Sequence, residues 1–139
     1  MKKIVDQLII PIIYIFILLG CTYNSMKSES LNKNIMGKWE GKIFNSNIYF
    51  EFKEKNIFTM KILNFNTDSL FVIHGEFSLD YLKTPIPLSL SNIPQVNHPL
   101  HTIIKFVDED LIKMTLFSIK WRVRPVYFES NDTFMLSRE

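Results

Sequence analysis

The chain has 139 residues, 47% hydrophobic and 14% aromatic, with 16 basic against 14 acidic side chains and one cysteine. That length suits a single domain with a genuine core. A formal charge of +2, spread without a basic stripe or an acidic block, gives no footprint for nucleic acid and no acidic tail, and one cysteine excludes an internal disulfide framework.

Met1, Lys2 and Lys3 open a segment whose apolar run, Leu8 to Leu19, is broken only by Pro11. About 12 residues make roughly 18 Å of helix, short of the ~30 Å hydrocarbon core of a bilayer. A cationic start, a short apolar centre and small Gly20 predict a secretory signal over residues 1–20. The alternative is an uncleaved N-terminal anchor helix with an incidental Cys21. Removing residues 1–20 takes two of the sixteen basic and one of the fourteen acidic side chains, so the remaining chain is close to neutral.

Leu18-Leu19-Gly20-Cys21 resembles the lipobox of bacterial lipoproteins. The resemblance implies that the Cys21 thiol takes a diacylglyceryl group and that cleavage leaves Cys21 as the first residue. It also implies a lipid-anchored protein of the bacterial cell envelope, with Thr22, where an aspartate would retain the protein, favouring the outer membrane of a two-membrane cell. Two or three acyl chains such as palmitate, at ~0.8 kcal/mol per buried methylene, hold a protein effectively permanently. A thioether at Cys21 is neither nucleophile, nor metal ligand, nor half of a disulfide.

Residues 21–34, including "TYNSMKSESLNKN", are polar and aperiodic, as expected of a lipidated, flexible tether. A domain is expected over 35–139, and its dominant period is two. "NIYFEFKE" puts Ile48, Phe50 and Phe52 on one face, and "NIFTMKILN" does the same with Phe58, Met60 and Ile62. "SLFVIHGEFSLDY" aligns Phe71, Ile73, Gly75, Phe77 and Leu79, with a bulge or bend predicted at Gly75. "HTIIKFV", "LIKMTLFSIKWRV" and "DTFMLSR" read as further strands, and turn residues separate them at 44–47, 54–56, 64–69, 108–110 and 129–132. Alanine is absent while phenylalanine, isoleucine and asparagine abound, which suits strands and turns. Short strands joined by tight turns predict an all-β fold, a small antiparallel up-and-down barrel of about eight strands, favoured because closure leaves no edge. Leu82 to His101 carries four prolines and predicts one short strand near Ile86–Leu90, then a long ordered loop acting as lid or plug.

"IMGKWEGK" contains Gly37-Lys38-Trp39, and this resembles the Gly-x-Trp signature that opens lipocalins and the wider calycins. The resemblance implies that a C-terminal arginine, here Arg138 in "FMLSRE", packs over the Trp39 face at the closed end of the barrel. Gly75 to Asp80, Pro87 to Leu90, Arg124-Pro125 with Phe128, and Leu136-Ser137-Arg138 are similar in order to a family of small, uncharacterised bacterial lipocalin-like domains. Phe77 stands where that family usually has tyrosine, and Ser89 where an aspartate is expected. The family implies no reaction. If they meet as the resemblance implies, Trp39 and Arg138, with Gly37, are expected to form a structural clasp rather than a ligand-binding contact, because a guanidinium can stack on indole and also tie down backbone carbonyls.

Candidate chemistry is sparse. His98 and His101, three apart, with His74 as a possible third, have metal-ligand chemistry, but Pro99 disfavours a shared helical face and loop histidines without metal are expected. Asp108, Glu109 and Asp110 are adjacent, which suits a solvated hairpin tip better than two carboxylates opposed across a substrate. No nucleophile elbow, phosphate loop or dinucleotide fingerprint occurs. The expectation is therefore no enzyme, no cofactor and no metal. In "KWRVRPVYF" Lys120, Arg122 and Arg124 alternate with Trp121 and Val123, predicting a strand with a cationic face. Arg122 and Arg124 there are candidates for an anion or a partner's carboxylates, against a plain half-buried strand. Two functions are carried forward: binding a small hydrophobic ligand in the barrel, or a closed barrel whose surface binds a protein as an envelope assembly factor or inhibitor.

Overall fold

The computed structural model describes residues 34–139. The predicted signal over 1–20, the lipidation at Cys21 and the tether through residue 33 lie outside the described residues. Eight strands follow in order: β1 (Gly37–Ile43), β2 (Ser46–Lys53), β3 (Ile57–Asn64), β4 (Ser69–Leu79), β5 (Ile86–Ser91), β6 (Leu100–Phe106), β7 (Leu111–Thr115) and β8 (Thr133–Arg138). Each pairs antiparallel with its neighbour in sequence, and β8 returns to β1 through Trp39↔Arg138, Glu40↔Ser137 and Gly41↔Leu136, closing an up-and-down barrel. No helix among the described residues is long and apolar enough to cross a membrane.

The alternation seen in the sequence becomes the two sides of the wall. Trp39, Phe50, Met60 and Ile73 pair across β1 to β4 and are all buried. Ile104, Met114 and Phe134 continue the inner lining over β6 to β8. Phe52 stacks on Phe50 with ring centres 5.5 Å apart and meets Phe77 edge-on at 5.0 Å. An eight-stranded barrel is only wide enough for its own side chains or one small ligand, and here aromatic rings occupy the middle. Each such side chain contributes roughly 1.5–3 kcal/mol by leaving water.

Strand direction assigns the connections to two ends. Asn34–Met36, the turns at 54–56 and 107–110 and the β4–β5 connection at 80–85 share the N-terminal end. The turns at 44–45 and 65–68, the loop 92–99 and the long segment 116–132 share the far end. The proline-rich stretch is thus divided. Its strand is Ile86–Ser91, and the loop after it stops before Leu100, so that Ile93 and Val96 pack into the core as a plug.

Three expectations need correction. No bulge interrupts β4 at Gly75: the pairs Phe58↔Gly75 and Ile57↔Glu76 run on unbroken. Glycine is required there because a side chain would collide with the Ser91 carbonyl, where β5 leaves its neighbour. Phe71, expected inside, is 47% exposed, because the β4–β5 ladder covers only Glu76 to Leu79 and the first half of β4 projects past it. Finally, the strand predicted through Val123 ends at Thr115. There Thr102 Oγ1 donates to the Thr115 carbonyl at 2.7 Å and lies 2.8 Å from Thr115 Oγ1, so hydroxyls fill the gap as β7 departs from β6.

Candidate functional surface

Among the described residues, the depressions that border Tyr49, Arg124, His98 and Gly41 lie along the outer surface, and none of them is lined by Ile48, Phe52, Phe58, Met60, Ile73, Leu88, Ile104, Met114 or Leu136. Those side chains fill the barrel. Whatever the domain recognises through these depressions meets its outside.

At the N-terminal end the Arg138 guanidinium lies over Trp39, 4.2 Å from the ring centre. Its Nη1 donates to the Met36 carbonyl at 2.6 Å, its Nη2 to the carbonyls of Asn34 at 2.8 Å and Glu109 at 3.1 Å, and its Nε pairs with Asp110 at 3.1 Å. Trp39 is fully buried and its indole N–H donates to the Ile35 carbonyl at 2.7 Å. Gly37 sits at φ +117°, and a Cβ there would come within 2.9 Å of Arg138 Nη1, so backbone and space both require glycine. The acidic turn 108–110 is thus more than a solvated tip: its middle carbonyl and last carboxylate hold Arg138. Asn34, assigned to the tether, already belongs to this knot.

The three histidines are placed apart. His74 Nδ1 meets the Gln95 amide at 2.9 Å, His98 sits in the exposed loop, and His101 Nδ1 lies 3.0 Å from Ser89 Oγ. His101 is not a loop residue: it belongs to β6 and is buried. Among the described residues no three histidine, cysteine or acidic side chains come together.

His101 is buried although it faces outward, because segment 116–132 lies as a strap over the outer wall. Ser118 still pairs edge to edge with β6, through reciprocal backbone bonds to His101 at 2.8 Å each way, and the strap folds over the wall beyond it. Phe117 reaches Phe50 across the far end at 6.2 Å, Trp121 meets the His101 ring edge-on at 5.2 Å, and Lys113 lies 5.1 Å from the centre of Phe128. Hence His101, Thr102, Ile103 and Ile104 are buried in succession, the mark of a strand covered on both faces.

The predicted Lys120–Phe128 strand is replaced by a turn. Trp121–Val123 form one turn of 3-10 helix, closed by Val123 N–H to the Lys120 carbonyl at 3.1 Å. Arg124 then turns extended at φ −60°, ψ 147°, as a residue before proline prefers. The two candidate arginines separate in consequence: Arg122 is exposed, whereas Arg124 folds back over Trp121, 3.8 Å from the ring centre. Arg124 Nη1 is shielded from solvent and has no acceptor. Burial first, and the Arg124 charge second, hold the His101 imidazole below its usual range, favouring its neutral form. Sequence reasoning missed this Ser89–His101–Trp121–Arg124 cluster. The one available signal was β6 itself, where Ile103 faces outward between His101 and Lys105. Comparison of the chain with protein-family models, with curated proteins and with solved structures finds no match, which leaves this geometry to carry the functional reading.

Proposed function

We propose that the chain is a lipid-anchored envelope protein whose closed barrel presents its strap to a protein partner. The anchor reading rests on the lipobox at Leu18–Cys21. The observation carrying the partner reading is a contrast in burial: the barrel is filled by its own side chains, while Ile119, Trp121, Val123, Val126 and Tyr127 stay exposed on one short segment. Tryptophan, tyrosine and arginine supply most binding energy in protein interfaces, and the strap places Trp121, Arg122 and Tyr127 together on one short stretch of chain. A carrier for a hydrophobic ligand would need a cavity where Phe50, Phe52 and Phe77 now meet.

A photo-crosslinker at Val123 of the full-length protein in its own cells should give one discrete adduct that is lost with Trp121→Ala, while a crosslinker at Lys42 gives none. Equal labelling from both positions would reject the strap as the contact. Native mass spectrometry showing a stoichiometric apolar ligand would instead restore the carrier reading. For the anchor, Cys21→Ser should leave a precursor that is neither processed nor acyl-labelled.

A further inference from the structure

We propose that the cleft between the strap and the β4–β5 connection binds a carboxylate carried on a small apolar body, with Arg124 as its anchor. This deepens the strap reading and rests on it for the natural partner, but its chemistry can be tested separately. The cleft has a volume of about 250 Å³ and is lined by Lys83 and Arg124 together with the apolar Pro87, Ile103, Pro125 and Val126. Arg124 also borders a second depression, on the Thr115 side.

Guanidinium groups have five donors, and nearly all buried donors in folded proteins find acceptors. Arg124 Nη1 does not, and among the described residues Arg124 makes no ion pair; because Nη1 is shielded from solvent, a ligand in the cleft meets the guanidinium through its other nitrogens. Asp80 feels the arginine's charge but is bound to Lys83 at 3.1 Å, while Glu129 and Asp132 border the second depression rather than this cleft. Two cations against one carboxylate leave the cleft with a net positive charge. Stacking on Trp121 fixes the guanidinium plane, and a fixed plane suits two parallel hydrogen bonds to a carboxylate. The floor accepts hydrocarbon, and its size fits one side chain or a short acyl body rather than a long chain. Either a free short-chain acid or the C-terminal residue of a protein would offer this chemistry.

The full-length chain, purified in detergent, would be titrated with hexanoate, with hexanamide, and with a hexapeptide ending in leucine as the free acid or the amide. The readout is the Trp121 indole N–H resonance. Hexanoate should shift that resonance saturably and hexanamide should not. Arg124→Gln should weaken binding by about tenfold, while an unmoved Trp39 indole resonance reports an intact fold. A free-acid peptide binding more tightly than hexanoate identifies a protein terminus as the source; the reverse order identifies a small acid. Equal responses to acid and amide, or hexanoate affinity unchanged in Arg124→Gln, would overturn the site. If no carboxylate binds while the Val123 crosslink persists, this inference fails and the strap reading survives.

Discussion

The molecule contains the same pair twice, an arginine laid over a tryptophan, and uses it in opposite ways. At the N-terminal end Arg138 lies 4.2 Å over a tryptophan with no exposed surface, and both its terminal nitrogens and Nε have acceptors. On the strap Arg124 lies 3.8 Å over a tryptophan that is 50% exposed, and one terminal nitrogen has none. A satisfied stack in the core holds the first and last strands of the barrel together. An unsatisfied stack at the surface costs stability and keeps a charge available. Stacking distance does not separate the two; the fate of the remaining donors does.

Removing the rings should separate them most. Trp39→Ala should cost about 3–5 kcal/mol, the range for a fully buried aromatic, and at the usual conversion lower Tm by more than about 10 °C. Trp121→Ala should cost under about 1 kcal/mol, since half its surface already meets water. Equal melting curves for the two variants would dissolve the contrast.

Next come the arginines. Arg138→Met strands the carbonyls of Asn34, Met36 and Glu109 without their donor, an expected loss of about 2–3 kcal/mol by chemical denaturation. Arg138→Lys should recover little, because one ammonium cannot replace a planar fork that reaches both the segment before β1 and the 108–110 turn. Arg124→Met removes a buried donor that had no partner, and should be neutral or slightly stabilising. A loss at Arg124 matching that at Arg138 would mean that the strap, too, is a structural clasp.

Acid should act on the strap and spare the clasp. Below about pH 6.5 an unfolded histidine takes up a proton, whereas burial and Arg124 keep folded His101 neutral to lower pH. The unfolded state then binds more protons, so stability is full above pH 6.5 and falls as the pH drops from there towards the depressed value. The amides of Leu116 and Ser118, which donate to the Asp132 and His101 carbonyls, should lose protection over that window once the intrinsic pH dependence of exchange is divided out. His101→Asn should flatten the response, and Arg124→Met should weaken it by removing one of its two causes. Protection factors that rise on acidification would contradict this account.

What could be read in advance follows from how local each signal is. Ile48, Phe50 and Phe52 alternate within one strand, and "FNSN" and "EKN" mark their turns without reference to distant residues, so the barrel was legible. Trp39 and Arg138 were paired only through a family resemblance, and the part played by Glu109 and Asp110 was hidden because it joins a turn to a strand 29 residues away. The strap was misread for a physical reason. Leu116 to Val123 alternates well enough for a strand, but the regular ladder with β6 ends at the Ile104↔Met114 pair and only the single His101↔Ser118 bridge follows, and a pattern of two cannot report where pairing with a neighbour is interrupted. His101 shows the same limit, since only the strap above it makes an outward histidine buried.

The smallest expected effect tests how the clasp is built. Arg138 touches the acidic turn twice, through the Glu109 carbonyl and through the Asp110 carboxylate, and that carboxylate is largely exposed. An ion pair with one partner in water contributes about 0–1 kcal/mol, so Asp110→Asn should lower stability by less than about 1 kcal/mol, with the loss shrinking further in high salt. The backbone bonds to Asn34, Met36 and Glu109 do not depend on that charge. Measured against Arg138→Met, a small, salt-sensitive loss assigns the clasp to carbonyls held by a stacked fork. A loss as large as that of Arg138→Met would assign it to the ion pair, and would remove the reason for treating Arg138 and Arg124 as one chemistry in two settings.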